Sequence, residues 1–281
     1  MTTQADWTGR TGQSWADQWQ RTDRSFGALT DHLLHRVAQL EFHSILDIGC
    51  GAGELSAALA RVNGHVRVIG VDVSEDLLGV ARKRGQRLPN LEFAAIPAER
   101  WDDPTVRPDL LVSRHGVMFF DSPIEAFAHL CRAAAPGARM LFSCFRPEAE
   151  NAWVGLLDDV AGAGAARADD ARPAAPSYRP GPFAFGDREL TERVLIQAGW
   201  SEPEFEPVDY AMIAGMGPDA VAEARAYFLR IGPAARAIAA LEGDERAASV
   251  ARLERMLALH EVDGLVALPA AAWIVSARAP D

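Results

Sequence analysis

Ile45-Leu46-Asp47-Ile48-Gly49-Cys50-Gly51-Ala52-Gly53 is the stretch on which the reading of this chain turns. An apolar strand-like run ends in an acid, and glycine then occupies every second position. A helical pattern, Glu54-Leu55-Ser56-Ala57-Ala58-Leu59-Ala60, opens directly after it. Glycine has no Cβ, so it tolerates positive φ and lets a ligand approach the backbone. A strand, a glycine loop and a helix in that order present free N–H groups at a helix N-terminus. Working outward, Val66-Arg67-Val68-Ile69-Gly70-Val71-Asp72 is a second β-rich run that also ends in an acid. One helix over 54–62, a turn at Asn63-Gly64 and one strand fit between Asp47 and Asp72. That is the content of a right-handed βαβ crossover, which makes the two strands parallel neighbours. Asp72 then stands at the carboxyl end of the second strand, beside the glycine loop. Ser74 is expected to cap the next helix, 75–84. That leaves the Asp72 carboxylate for a pair of ribose hydroxyls, a device also found in dinucleotide enzymes.

The glycines run G-x-G-x-G, whereas the dinucleotide fingerprint is G-x-G-x-x-G. The last slot of that fingerprint holds Glu54 here, which would face phosphates. Asp47 is likewise a poor neighbour for an anion and a good one for a cation. The Asp47–Gly53 stretch closely resembles motif I of class I methyltransferases, whose cofactor S-adenosylmethionine carries an α-amino group and a sulfonium. The resemblance implies that Asp47, Gly49, Cys50, Gly51 and Gly53, with Asp72, Val73 and Leu77, hold this cofactor. S-adenosylhomocysteine would be the product.

The third strand, Leu91–Ala95, runs into Ile96-Pro97-Ala98-Glu99. In the family this junction often carries an acid and a small residue that read the adenine edge. Here Pro97 stands in the acid's place, so the expected contacts are the Ala98 N–H and the Glu99 side chain; a solvated loop is the alternative for Glu99. The fourth strand, Asp109–Ser113, leads into Arg114-His115-Gly116 and resembles motif IV. A loop there borders the ligand crevice of a parallel sheet. Ser113 and Arg114 are assigned to the cofactor side, with Arg114 as an orienting or salt-bridging residue. His115 is the candidate general base because its unperturbed pKa lies near neutrality; pocket lining and a structural role are its alternatives. An amphipathic helix over 122–135, a Pro136-Gly137 stop and a fifth strand at 140–145 follow in the family's order.

These elements predict an α/β fold, and the resemblance implies three layers around a doubly wound, mostly parallel sheet of seven strands in the order 3-2-1-4-5-7-6. Residues 1–43 are expected to form an N-terminal helical cap into which Trp7, Trp15, Trp19 and Phe26 crowd. Residues 44–281 form the cofactor-binding domain. Within it, the Gly/Ala/Pro-rich segment 147–182 is expected to be irregular, either a mobile lid or a passive surface insertion. Strands at 204–213 and 271–277 flank a helical insertion, 218–263. Trp15, Trp19, Phe119, Phe183 and Phe185 are candidates for an aromatic cage around the methyl and its acceptor, with core packing as the alternative. Tyr178 is a candidate hydrogen-bonding group from the lid.

The chain has 281 residues and a formal net charge of −11. That charge argues against nucleic acid as a partner. No apolar run reaches the length of a membrane span, and the first ten residues lack an apolar signal core. The cysteines Cys50, Cys131 and Cys144 show no C-x-x-C pairing, and there is no H-E-x-x-H, so no metal is expected and a cytoplasmic location fits. His32 and His35 are expected at the surface. The function expected is methyl transfer to O, N or C of a small-molecule acceptor by a monomer or homodimer. The alternatives are a protein that binds S-adenosylmethionine for a non-methylating or regulatory role and, more remotely, an NAD(P)-linked oxidoreductase. The latter lacks its Tyr-x-x-x-Lys pair here.

Overall fold

The computed structural model describes residues 4–161 and 178–281. Three helices open the chain: α1 (Gln4–Trp7), α2 (Arg10–Asp17) and α3 (Trp19–Val37). Alternating units follow: β1 (Ser44–Ile48), α4 (Glu54–Val62), β2 (Arg67–Asp72), α5 (Glu75–Gly85), β3 (Leu91–Ala95), β4 (Leu110–Arg114), α6 (Pro123–Ala133) and β5 (Arg139–Phe145). Then come α7 (Ala152–Ala161), α8 (Arg188–Gln197), β6 (Ser201–Met216), α9 (Ala220–Phe228), α10 (Pro233–Ala239), α11 (Gly243–Leu259), β7 (Glu261–Val262) and β8 (Leu265–Arg278).

The sheet runs β3-β2-β1-β4-β5-β8-β6, with the short β7 paired to β8 off this path. The first five strands are parallel and β8 is antiparallel to both neighbours. Apart from β7, this is the order read from the sequence. Strands buried on both faces read as continuous apolar runs, and β1, β2 and β4 do so: Ile45, Leu46, Val68, Val71, Leu111 and Val112 are buried. The chain reverses direction across the sheet between β1 and β4, and the crevice at their carboxyl ends is the usual ligand position in such a sheet.

Two elements are longer than the sequence suggests. β6 and β8 pair from Ser201↔Arg278 to Met216↔Leu265, with irregularities between Ser201 and Glu204 and between Ile213 and Gly215. Those breaks and the prolines at 203, 207 and 269 blur the alternation. β6 is an edge strand, where proline is tolerated; Pro269 lies beyond the part of β8 that pairs with β5. The expectation of an irregular 147–182 is corrected over its first part. Residues 152–161 form α7, and Trp153, Val154, Leu157 and Val160 are buried in the core. The sequence reading missed this helix because its apolar residues lead directly into the Gly/Ala-rich run. Residues 162–177, the middle of the expected lid, lie outside the described residues.

α3 buries one stripe, Phe26, Leu29, Leu33 and Val37, spaced as an amphipathic helix requires. Its other side is tied to the inserted helices. Arg21 donates two hydrogen bonds to Glu223, at 3.0 and 2.8 Å, and Arg24 donates to the Ala214 carbonyl at 2.9 Å. A Cβ at Gly215 would stand 1.9 Å from the Ala220 carbonyl, so the start of α9 rests on the β6 backbone. A Cβ at Gly12 would stand 2.3 Å from Ser74 Oγ, so α2 rests on the N-terminus of α5. The N-terminal helices and α9 thus roof the crevice from two sides.

Behind the crevice, Asn151 joins the end of β5 to β8. Its Nδ2 donates to the carbonyls of Arg146, Pro147 and Ala271, and its Oδ1 accepts from Ala271 N and Trp153 Nε1. It is 1% exposed, so truncation orphans several buried groups. Asn151→Ala should lose about 2–4 kcal/mol of stability in urea unfolding, without a change in the residues that line the crevice.

Candidate functional site

The loops after β1 and β4 meet backbone to backbone. A Cβ at Gly49 would stand 2.8 Å from Gly116 Cα, and one at Gly116 would stand 2.5 Å from the Ile48 carbonyl oxygen. Gly49 and Gly51 also have φ of +63° and +54°, where a Cβ is costly. Ser113 fastens the junction: its Oγ donates to the Ile48 carbonyl at 2.7 Å and accepts from Gly116 N at 3.1 Å. Gly53 has φ +77° and opens α4, and a Cβ there would press on Ala81 and Phe93 at 2.9 Å. Ser113 and Gly53, both expected at the cofactor, therefore shape the loops from behind and do not line the cavity.

The cavity itself is about 210 Å³. Of the residues singled out in the sequence, Asp47, Gly49, Cys50, Gly51, Asp72, Val73, Leu77, Ala98, Glu99, Arg114, His115, Trp15, Trp19 and Phe119 line it. Phe183, Phe185 and Tyr178 do not. Phe185 is fully buried among Phe127, Phe142 and Tyr178, so it is core. Tyr178 spends its hydroxyl on the Phe120 carbonyl at 2.6 Å. Phe183 packs behind Phe145 and Trp153, which do line the cavity. The sequence reading missed several wall residues, among them Trp7, Asp23, Phe145, Trp153 and Tyr227. The aromatic density of residues 7–26 was a signal for the first of these. Nothing local marks the others.

Electrostatically the site is built on buried acids. Asp47 is 1% exposed, and its side chain accepts from Ser56 Oγ. Burial pushes its pKa up to about 7, against the Ser56 hydrogen bond and the Arg114 charge. Asp72 is also raised by burial, offset by the backbone N–H groups of Ser74 and Gly51, which lie 2.8 and 2.9 Å from its oxygens. Ser74 caps α5 as expected, accepting from Leu77 N.

Arg114 is a salt-bridge hub. It pairs with Glu54 and with Asp23, the latter at 3.3 Å, and donates to Thr30 Oγ1 at 2.8 Å. Arg84 joins Asp23 at 2.6 Å and lies over the Trp19 ring at 4.4 Å. Glu54, the residue that breaks the dinucleotide fingerprint, is thereby spent on Arg114.

His115 sits between the rings of Phe26 and Phe145, at 5.1 and 4.4 Å, and is 7% exposed. Burial lowers its pKa to about 3, against a hydrogen bond to the Ser143 backbone. A base so weak is poorly matched to taking a proton near pH 7, which speaks against a general-base role.

Residues 45–137 match the family model of the methyltransferase domain. The domain's relatives include trans-aconitate 2-methyltransferase of Acidovorax sp. strain JS42, 36% identical over 37% of this chain and 39% of that protein. They also include malonyl-[acyl-carrier protein] O-methyltransferase of Halalkalibacterium halodurans, 30% identical over 41% of this chain and 48% of that one. The matched region thus spans less than half the length of these relatives. Among solved structures, YcgJ of Bacillus subtilis superposes with a TM-score of 0.53 at 15% identity, covering 92% of this chain and 98% of that one. Phosphoethanolamine N-methyltransferase 2 of Haemonchus contortus, solved with phosphomonomethylethanolamine and S-adenosylhomocysteine, gives 0.53 at 18% identity, covering 95% and 57%. Both share the class I methyltransferase fold of this domain. No helix among the described residues is long and apolar enough to cross a membrane. Among those residues no cluster of His, Cys, Asp and Glu could hold a metal ion.

Asp47 makes the site's stability depend on pH. In the folded chain it stays protonated up to about pH 7, while in the unfolded chain it ionises near the ordinary carboxylate value. The folded state therefore holds the extra proton between those values. Stability contributed by neutral Asp47 is lost as pH rises through that window. Asp47→Asn should stabilise the ligand-free protein, with a gain that grows by about 2 kcal/mol between pH 5 and pH 8 in urea unfolding.

Proposed function

We propose that this chain is an S-adenosylmethionine-dependent methyltransferase acting on an O, N or C atom of a small-molecule acceptor. The observation that carries the reading is the cavity wall formed by the Gly49–Gly51 loop between two buried carboxylates, Asp47 and Asp72. Among the described residues no cation is in direct contact with Asp47, and the α-ammonium of the cofactor supplies one. Each Asp72 oxygen accepts one backbone hydrogen bond and keeps a lone pair for a ribose hydroxyl. Gly49 and Gly51 let the ligand approach the main chain. Val73, Leu77, Ile96 and Ala98 give an apolar slot for the adenine, with Glu99 at its border. The names of the relatives support the same reaction class.

When bound, the cofactor supplies a sulfonium methyl that is already activated for in-line displacement. The chain's own work is then to orient and to exclude water. Well-aligned reactants gain roughly 7–11 kcal/mol from proximity. Trp7, Trp15 and Phe119 stack edge to face, at 5.1 and 5.0 Å, and wall the cavity beside Trp19. Aromatic faces of this kind attract a sulfonium as they do other cations. Glu54 and Asp23 keep Arg114 from presenting a bare positive charge to that sulfonium.

Calorimetric titration tests the reading. S-adenosylhomocysteine should bind with micromolar affinity and NAD⁺ should not bind. Asp72→Ala should weaken the former by about 100-fold, two charge-assisted hydrogen bonds' worth. Binding of NAD⁺ in preference, or no binding of S-adenosylhomocysteine, would overturn it.

A further inference from the structure

The cavity has two unlike halves. Toward β2 and β3 it is lined by Asp72 and the apolar slot already described. Toward β5, α7, β6 and α9 it is walled by Phe26, Phe145, Trp153, Leu157, Met212 and Phe228. Among the described residues, the lining side chains that carry charge are Asp23, Asp47, Asp72, Glu99 and Arg114, the last with its guanidinium 5.6 Å from the centre of the Phe26 ring. Arg114 is already paired with two carboxylates. A carboxylate acceptor would find no uncommitted cation among the described lining residues and would face Asp23 and Asp47. Burying an uncompensated anion there is costly.

Ser25 and Tyr227 satisfy each other here, whereas the Thr22 hydroxyl on the same wall is buried with no hydrogen-bond partner among the described residues. Ser25 Oγ gives its proton to the Thr22 carbonyl at 2.8 Å, so Tyr227 donates to Ser25 at 3.0 Å. In His115, Nδ1 lies 2.9 Å from Ser143 Oγ, while Nε2 is buried with no partner among the described residues. Ser143 is fully buried, and the imidazole is the one hydrogen-bond partner given for its hydroxyl among the described residues. Were Nδ1 to donate, the serine proton would be orphaned, at a cost of about 1–3 kcal/mol. The hydroxyl therefore donates to Nδ1, and the ring carries its proton on Nε2. His115 also holds φ +64°, a strained conformation for a residue other than glycine, of the kind that clusters at ligand clamps.

We propose that the methyl acceptor is an uncharged, mainly apolar molecule carrying a hydrogen-bond-accepting oxygen of the carbonyl type, and that His115 Nε2–H binds this oxygen and sets specificity. The proposal rests on the methyltransferase reading and narrows its acceptor. It separates this chain from the relative named for trans-aconitate, which is a tricarboxylate.

Three matched probes test it by calorimetry on the protein saturated with S-adenosylhomocysteine: acetophenone, ethylbenzene and benzoate. Acetophenone should bind about tenfold more tightly than ethylbenzene, one hydrogen bond's worth, and benzoate more weakly than both. His115→Phe should erase the tenfold advantage and leave ethylbenzene within about twofold, in keeping with the lost hydrogen bond alone. His115→Gln should keep part of the advantage. Ring ¹⁵N NMR of the wild type should find the proton of His115 on Nε2, a readout that needs no variant. Tightest binding by benzoate, an advantage that survives in His115→Phe, no binding by any probe, or a proton on Nδ1 would overturn the proposal. Failure of S-adenosylhomocysteine to bind in the preceding titration strikes the methyltransferase reading instead; the probe ranking and the ring proton are also read on the ligand-free protein, so the two failures stay distinct.

Discussion

A carboxylate buried at the end of β1, with no cation in contact among the described residues, is the constraint around which this molecule is arranged. Asp47 lies at the centre of the sheet, where the loops after β1 and β4 touch, and is 1% exposed. Burial alone would make it a liability. Ser56 relieves part of the cost from α4, and Arg114 adds a favourable charge, but its guanidinium is committed to Glu54 and Asp23. The remaining cost is of the kind that a functional site retains because a ligand offsets it.

The geometry around that acid follows from close backbone approach. Gly49 against Gly116, Gly12 against Ser74, and Gly215 against Ala220 are three contacts in which a Cβ would collide. They bring the loops, the N-terminal helices and the β6–α9 corner within reach of one cavity. The Arg21–Glu223 pair then links α3 to α9 across the roof. Exposed pairs of this kind contribute little stability; this one fixes which helices face each other.

The parallel half of the sheet was legible in the sequence because each of its units carries its own signal. The G-x-G-x-G loop, the Asp72 terminus and the Pro136-Gly137 stop are local. Asp47, Asp72 and the glycines could be assigned for the same reason. The second half of the cavity was not legible. Phe145, Trp153, Met212 and Tyr227 come from four separate elements and look like ordinary core residues in sequence. Phe185 and Tyr178 failed in the opposite direction: an aromatic in a Gly/Pro-rich segment reads as a cage residue until its packing is known. His115 lies on the cavity wall, where its surroundings disfavour the charged ring. Its pKa is held down by burial, to which the rings of Phe26 and Phe145, far from it in the chain, contribute.

The measurement that bears most directly on this picture is the proton balance of cofactor binding. S-adenosylhomocysteine would be titrated at pH 7 in buffers of different ionisation enthalpy. If the ligand's ammonium pairs with Asp47, whose pKa is about 7 without ligand, binding should release about half a proton per site. The release should vanish in Asp47→Asn. Binding with no dependence on the buffer would contradict the pairing, and with it the claim that Asp47 is held in the sheet for a cationic ligand.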